Sequence, residues 1–373
     1  MPTESTRQIP RISLHDWDNR KNEIMKEIMN AAENVGFFIV KDQESPSKAD
    51  IEEAFRISES FFRLPEDVKS RTPFIREQNT GWEKRAQIRP STNLPDQKES
   101  IQLQYHRRYD PTWPVVDDHI PDFHKTISGF MEKTQTVSMR ILSCLAIGLG
   151  LEEDYFTKIH DIKSNEAMTT LRLLHYHENE TRAIPDGHIR AGAHTDYDFL
   201  TLLFQRTGED GLEVCPGREC YTSFGMGDVW TPVKANTGEI VCKYTRRGGN
   251  LLSIVCLCDL IGNANFMQGN IGDMLMSLSD DRLKSLFHRV RNPRTGESQK
   301  ARHSIAFFNQ PIRSAMIQGP LKKYPPITAR DFILDAARRN YAQGEKERED
   351  AIKSSKFQYP DNIRPGIIVS ANA

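Results

Sequence analysis

The stretch Ala193–Gln205, AHTDYDFLTLLFQ, decides how this chain is interpreted. His194 and Asp196 lie two positions apart at the start of an apolar, strand-like run. Residues i and i+2 of an extended segment project to the same side, so both side chains can reach one ion. An imidazole and a carboxylate are also the ligand types of a mononuclear iron site, which needs a second histidine. The stretch therefore predicts a metal site at a strand end, with the remaining ligand on another strand.

An HxD pair alone is a weak signal in a chain with 11 histidines, but its context strengthens it. His288 ends another apolar run, and Arg302 and Ser304 follow and open a third, SIAFF. A guanidinium and a hydroxyl at i and i+2 share one strand face and suit the distal carboxylate of a dicarboxylic acid. We predict that His194, Asp196 and His288 form a 2-His-1-carboxylate triad for Fe(II), beside a carboxylate clamp.

Short motifs along most of the chain add a family resemblance. They are IPRISL, AAENVGFFIV, FFRLPEDVKSRT, LRLLHY, AHTDYDFLTLLFQ, GLEV, NIGDML, HRV, RHSIAFFNQP and YPPITARDF. Together they resemble the 2-oxoglutarate- and Fe(II)-dependent dioxygenases of the isopenicillin-N-synthase-like type, and LRLLHY and AHTDY look closest to fungal thymine 7-hydroxylase-like members. The resemblance implies an α+β fold with a double-stranded β-helix (jelly-roll) core, flanked by N-terminal and supporting helices.

The resemblance also implies roles for single residues. Arg302 and Ser304 would hold the C5 carboxylate of 2-oxoglutarate, and Tyr176 matches a tyrosine that donates to this co-substrate in many members. Leu174 stands where many members have asparagine, and His177 where proline is usual, which leaves the role of the tyrosine open. No catalytic residue beyond the iron ligands is implied, and ascorbate is a possible stimulant.

The implied reaction oxidises a small organic molecule by hydroxylation, desaturation or cyclisation, with release of succinate and CO2, in fungal specialised or catabolic metabolism. Two alternatives stay open. One is an oxidase of the same fold that does not use 2-oxoglutarate, because relatives without the co-substrate can keep the arginine and serine. The other is an inactive product of the same fold.

The composition agrees with an enzyme that has neither nucleic acid nor a membrane as partner. The 50 basic and 51 acidic residues balance, so no electrostatic footprint for nucleic acid or an anionic membrane is present. No run approaches the 18 or so apolar residues of a membrane span, and the N-terminus lacks the pattern of a signal peptide. We expect a cytoplasmic monomer that acts on a small-molecule substrate.

Hydrophobic periodicity predicts four helices around a β-rich core. They are placed at Lys21–Val35, after Pro46 and up to Pro65, at Pro121–Gly150 and at Ala329–Tyr341. Residues 71–114 are expected to be loops over an active-site mouth, with one strand at Ser100–Tyr105, and short strands are expected between Thr169 and Asn309. This divides the chain into an N-terminal region (1–115), a catalytic core (116–345) and a polar tail (346–373).

Side chains beside the motifs are candidates for the substrate pocket, although a plain core role is equally compatible with each. They are Ile101, Leu103, Tyr197, Phe199, Trp230 and Phe308. Asp198 stands where many relatives have glycine, and it is expected to face either substrate or solvent.

Residues 243–269, KYTRRGGNLLSIVCLCDLIGNANFMQG, separate two halves that relatives join almost directly. His194 and His288 are 94 positions apart, and without these 27 residues the separation is 67, closer to the family norm. The codons of Cys242–Tyr244 can contain a GTAAGT donor, and those of Gln268 and Gly269 an AG acceptor. We interpret the segment as a retained intron; a surface insertion is the alternative, since loop-closure entropy grows slowly with length.

Overall fold

The structure, a computed structural model, is an α+β protein built on two β-sheets. It describes residues 8–89, 94–107, 116–178, 189–215, 230–234, 266–283, 285–294, 297–340 and 350. Within these residues no helix is long and apolar enough to cross a membrane.

The helices lie at both ends of the described chain and in its middle. They are α1 (Trp17–Asn34), α2 (Lys48–Phe62), α3 (Glu66–Lys69), α4 (Phe123–Gly148), α5 (Asp273–Leu278) and α6 (Ala329–Asn340). α2 begins with a capping box, in which the Ser47 hydroxyl accepts from the backbone N–H of Asp50 and the Asp50 carboxylate accepts from the backbone N–H of Ser47.

Sixteen strands lie in the described parts of the chain. They are β1 (Arg11–Ser13), β2 (Phe37–Lys41), β3 (Gly81–Lys84), β4 (Ile88–Arg89), β5 (Leu94–Pro95), β6 (Lys98–Leu103), β7 (Thr170–Tyr176), β8 (Ala191–His194), β9 (Leu200–Gln205), β10 (Leu212–Val214), β11 (Thr231–Pro232), β12 (Phe266–Ile271), β13 (His288–Val290), β14 (Arg302–Asn309), β15 (Met316–Ile317) and β16 (Ile327–Thr328).

The main sheet has the order β1-β2-β12-β9-β14-β7-β6-β3, and the smaller sheet has the order β11-β10-β13-β8. One face of the main sheet packs against α1, α2 and α4 in the principal core. The other face packs against the smaller sheet in a second apolar cluster, in which Phe37 and Ala306 of the main sheet join Leu212 and Val290. Side chains on this second face therefore point into the space between the sheets.

The predicted helices are all present, with ends shifted by a few residues. The expectation for residues 71–114 was incomplete, because β3 and β6 belong to the main sheet and β4 pairs with β5. β6 has polar residues alternating with apolar ones, and the polar side faces the space between the sheets, so its pattern resembled that of a solvent-exposed edge.

Residues 266–269 are not in a surface loop. They form the first part of β12, which pairs antiparallel with β2 on one side and β9 on the other. Met267 in this strand is fully buried in the principal core. A plain surface insertion over 243–269 is therefore wrong for these last four residues, and residues 243–265 lie outside the described part of the chain.

Candidate active site

A cavity of about 960 Å³, including space open to solvent, lies between the two sheets. The main sheet contributes Arg302, Ser304 and Tyr176 to its walls, and the smaller sheet contributes His194 and His288. All residues of the predicted triad and carboxylate clamp thus line one cavity, although His194 and Ser304 are 110 positions apart in the sequence.

The three predicted metal ligands meet at the end of the smaller sheet. β13 begins at His288, which pairs directly with His194 at the end of β8, so neighbouring strands hold the two rings side by side. Asp196 follows two residues after β8, and its Oδ1 lies 3.9 Å from His194 Nε2 and 3.6 Å from His288 Nε2. One donor atom from each residue lies within 4.8 Å of the other two.

Each of the two histidine rings has its Nδ1 atom near a backbone carbonyl. His194 Nδ1 lies 2.7 Å from the carbonyl of Gly192, and His288 Nδ1 lies 3.4 Å from that of Leu286. A backbone carbonyl can only accept, so each Nδ1 carries the proton and Nε2 keeps its lone pair. Two imidazole nitrogens and one carboxylate oxygen facing a common point fit an Fe(II) ion with positions left for further ligands.

The carboxylate of Asp196 is positioned by Thr201 on β9. Thr201 Oγ1 lies 2.7 Å from Asp196 Oδ2 and 2.9 Å from Asp198 Oδ2. Asp198 is 1% exposed, so the sequence-based alternative that it faces solvent is wrong. Burial, and next the charge of Asp196, raise the pKa of Asp198 well above its usual range.

A second group of possible ligands, Glu99, His175 and His177, lies on the other side of β6 and β7. The Glu99 carboxylate already accepts hydrogen bonds from Lys69 Nζ at 2.8 Å and Trp82 Nε1 at 2.9 Å, and it lies 2.9 Å from His175 Nδ1. Although burial works in the opposite direction, the contacts with His175 and Lys69 lower the pKa of Glu99 to about 2. Its charge is therefore compensated by protein groups, as in a structural ion pair.

The predicted carboxylate clamp, Arg302 and Ser304, lies at the start of β14. Arg302 is 1% exposed, and its Nε donates to the carbonyl of Glu209 at 3.0 Å, while Nη2 donates to the Gln205 amide oxygen. Nη1 lies 3.4 Å from Ser304 Oγ, on the same side of the strand. These contacts fix the guanidinium plane in advance, which favours a planar, bidentate partner such as a carboxylate.

A second arginine lies near Arg302, and the carboxyl group of Glu209 lies near both of them. Arg190 is also buried, and burial together with the nearby Arg302 lowers its pKa to about 10. The Arg302 guanidinium lies 4.9 Å from the centre of the Tyr176 ring, a cation–π distance. Leu174 lines the cavity, whereas His177 is beyond the end of β7 beside His175, so the two departures from the family pattern lie on opposite sides of the strand.

Of the six predicted pocket residues, Tyr197 and Phe308 line the cavity. Ile101 and Leu103 point to the principal core because their neighbour Gln102 points into the cavity, and Phe199 packs against His160 and Phe156 in that core. Trp230 packs instead against the side chain of Arg289, 4.1 Å from its guanidinium carbon. The pocket prediction is wrong for these four residues, since period-2 alternation does not reveal which face is the site.

Sequence reasoning missed the polar wall of the cavity on β6 and β7. Lys98 and Gln102 on β6 and Arg172 on β7 all line it, and all three are buried. Lys98 Nζ donates to Gln87 Oε1 at 2.6 Å and lies 3.7 Å from both Glu83 and Asp96. The alternation of polar residues in β6 was the available signal.

Comparison with known proteins agrees with this site. Residues 9–121 match the family model "non-haem dioxygenase in morphine synthesis N-terminal", and residues 257–311 match that of the 2OG-Fe(II) oxygenase superfamily. The second match contains His288, Arg302 and Ser304 and begins inside the 243–269 segment.

Curated relatives cover most of the chain. The 2-oxoglutarate-Fe(II) type oxidoreductase hxnY of Emericella nidulans is 24% identical over 362 residues, 90% of each chain. The proline hydroxylase buaE of Petromyces alliaceus is 28% identical over 316 residues, 82% of this chain and 86% of that protein. Among solved structures, Neurospora thymine 7-hydroxylase in complex with alpha-KG has a TM-score of 0.70 at 25% identity, covering 90% of this chain and 97% of the other.

The two sheets, the cavity between them and these relatives define a non-haem iron oxygenase. The chain is an enzyme that oxidises a small molecule with Fe(II) as cofactor and 2-oxoglutarate as co-substrate.

Proposed function

We propose that His194, Asp196 and His288 hold the Fe(II) ion through two Nε2 atoms and one carboxylate oxygen. The observation that carries this proposal is the convergence of these donors within 4.8 Å, with both Nδ1 atoms facing backbone carbonyls. Thr201 keeps Asp196 Oδ2 engaged, which leaves Oδ1 facing the histidines. The protein thus supplies three adjacent ligands and leaves the opposite side for co-substrate and dioxygen.

The C5 carboxylate of 2-oxoglutarate binds to Arg302 and Ser304, with Tyr176 beside it. Arg302 is held rigid by Gln205 and Glu209, so little side-chain entropy is lost when the carboxylate binds. Arg190 adds a second positive charge at the same end. The co-substrate is therefore oriented along the main sheet, from the clamp toward the three metal ligands.

The substrate occupies the remainder of the cavity, near Gln102, Arg172 and Phe308. Bound Fe(II) supplies dioxygen activation: 2-oxoglutarate, O2 and a substrate C–H bond are converted to succinate, CO2 and an alcohol, when hydroxylation is the outcome. The sheets on both sides exclude bulk water from the reacting carbon and fix its orientation relative to the ligands. Desaturation or cyclisation requires only a different position of the substrate carbon.

The arrangement of the two facing sheets supports a double-stranded β-helix (jelly-roll) core within residues 116–345, preceded by the region 1–115 and followed by the tail 346–373. β1, β2, β3 and β6 of the N-terminal region extend the main sheet, so the two regions share one sheet. We assign the enzyme to the cytoplasm and to a monomeric state, with neither nucleic acid nor membrane as partner.

Anaerobic titration tests the proposal in two steps. Fe(II) and then 2-oxoglutarate are added to the full chain, and binding is followed by calorimetry and by the visible absorption of the iron–2-oxoglutarate complex. We expect one iron and one 2-oxoglutarate to bind per chain. O2 is then admitted and candidate substrates are screened, and we expect a true substrate to cause succinate release. Iron binding without 2-oxoglutarate binding, combined with substrate oxidation, would identify an oxidase instead.

A further inference from the structure

A second cavity, here called the arginine chamber, adjoins the active-site cavity. It encloses about 630 Å³, including open space, and is lined by Arg76, Arg107, Arg313, Arg330 and one acid, Glu77. Four arginines and one glutamate thus line the chamber, and Arg330 Nη1 also lies 4.0 Å from Asp331 Oδ1, so its charged lining is mainly basic. A concave surface lined by positive charges focuses the electrostatic potential and attracts anions. The planar guanidinium group of arginine also matches the geometry of carboxylates and phosphates.

The two cavities share part of one wall. Asn79 and Gln310 line both of them, so these two side chains stand where the active-site cavity meets the chamber. Gln310 follows β14 at the end opposite to Arg302, and the seven steps from Arg302 to Asn309 span roughly 23 Å of extended strand. The chamber is therefore a different anion site from the clamp for 2-oxoglutarate.

Two buried side-chain amides that line the active-site cavity have atoms without a hydrogen-bond partner in the described part of the chain. Neither amide atom of Gln102 has a hydrogen-bond partner there, although the side chain is 0% exposed. The Oε1 atom of the buried Gln310 also has no hydrogen-bond partner there. The Gln310 backbone is held by Thr169, whose hydroxyl lies 3.1 Å from its nitrogen and 3.0 Å from its carbonyl oxygen. Buried polar groups are normally paired, so these amides are suited to a polar ligand.

We propose that the substrate is a small carboxylate that spans both cavities. Its carboxylate binds in the arginine chamber, its polar body contacts the amides of Gln102 and Gln310, and its reacting carbon reaches the three metal ligands. This inference rests on the proposed function, because the active-site cavity must hold iron and 2-oxoglutarate while the chamber holds the substrate anion.

The test uses the full chain loaded anaerobically with Fe(II) and saturating 2-oxoglutarate. The probes are matched pairs with equal shape and different charge: benzoate with benzamide, and propionate with propionamide, plus phenyl phosphate as a different oxyanion. Their Kd values are read from the change in the visible absorption of the iron–2-oxoglutarate complex. The variants are Arg107→Gln and Arg330→Gln, and Arg338→Gln, exposed on α6 and outside the chamber, is the matched control.

We expect at least one carboxylate to bind about tenfold more tightly than its amide, a preference of ~1.4 kcal/mol. Arg107→Gln and Arg330→Gln should bring the two Kd values together, whereas Arg338→Gln should keep them apart, with 2-oxoglutarate binding unchanged in all three. The proposal is overturned if amides bind as tightly as carboxylates, if no carboxylate binds, if both chamber variants keep the preference, or if phenyl phosphate binds more tightly than every carboxylate. Failure of Fe(II) or 2-oxoglutarate to bind would instead overturn the proposed function.

Discussion

The hydroxyl of Thr201 contacts Asp196, because Thr201 Oγ1 lies 2.7 Å from Asp196 Oδ2. The other carboxylate oxygen, Oδ1, faces the histidines. The same hydroxyl lies 2.9 Å from Asp198 Oδ2. A threonine hydroxyl has one hydrogen, so when it donates to Asp196 it can only accept from Asp198. The raised pKa of Asp198, which follows from its burial and from the charge of Asp196, is compatible with that arrangement.

Thr201→Val should weaken iron binding without removing a ligand. Valine has nearly the same shape as threonine, so β9 should pack as before while Asp196 loses its positioning hydrogen bond. Loss of such a contact to a metal ligand lowers affinity by roughly 10- to 100-fold. Anaerobic Fe(II) titration measures this change, and Thr201→Ser, which keeps the hydroxyl, should bind iron nearly as the wild type does. Equal Kd values for all three proteins would show that Thr201 does not position the ligand.

His194→Ala and Asp196→Ala should each abolish Fe(II) binding and turnover. Both side chains lie at the rim of the smaller sheet and outside the apolar clusters, so thermal unfolding should change little. Metal analysis of the purified variants, together with calorimetric Tm values, checks both expectations. Iron-dependent activity retained in both variants would refute the assignment of the triad.

Arg302→Lys should act on co-substrate affinity. Lysine keeps the charge but cannot make the two parallel hydrogen bonds of the guanidinium, and charge-assisted contacts contribute about 1.5–3 kcal/mol. The Kd for 2-oxoglutarate should therefore rise roughly tenfold or more, while Fe(II) binding stays the same. Arg289→Lys is the matched control, because Arg289 pairs with Glu213 outside the cavity. An unchanged Kd, or turnover without 2-oxoglutarate, would favour the oxidase alternative.

Two half-buried histidines should make the iron-free protein less stable in acid. Burial, followed by the effect of His175, lowers the pKa of His177 and of His303 from 6.5 to about 4. The unfolded chain then binds protons more tightly than the folded one between pH 6.5 and 4, so the free energy of unfolding falls as the pH is lowered through this range. Denaturant titrations from pH 7.5 to 4.5 should show this fall.

His303→Asn removes one of these groups and should make the pH dependence shallower than in the wild type. His15→Asn is the control, because His15 is exposed. A slope for His303→Asn equal to that of the wild type would contradict the contribution assigned to this residue.

The grouping of the proposed metal ligands and the proposed clamp could be predicted from sequence because each pair is local. His194 with Asp196, and Arg302 with Ser304, lie at i and i+2, and in the structure each pair faces one cavity. Amphipathic helices were predictable for the same reason, since their signal is contained within a few turns.

The polar wall could not be predicted in this way. Gln102 faces the cavity because β6 pairs with β7, which places Gln102 beside Arg172. Such pairing joins segments some 70 positions apart, and no local pattern shows which strand face will meet the second sheet.

Deletion of residues 243–269 should improve folding, because the sequence directly upstream, Glu239–Cys242, can replace the first residues of β12. The deletion places Glu239–Cys242 directly before Asn270, so Ile240 takes the position of Met267, which pairs with Val40 and Phe204 in the core. Val241 and Cys242 take the positions of Gln268 and Gly269, and glycine within a strand is unfavourable. β-branched residues favour an interior strand, so the register of β12 is kept with a better sequence.

The apolar run LLSIVCLC within the segment adds an aggregation hazard that the shorter chain lacks. We expect the chain without 243–269 to be more soluble, to unfold at a higher temperature and to turn over faster than the 373-residue chain. A deletion of 243–265 only is the matched control: it shortens the connection but keeps FMQG in β12. If both deletions improve the protein equally, loop length and not strand sequence is responsible. Mature transcripts that retain the segment, together with full activity of the 373-residue chain, would show that the segment is not a retained intron.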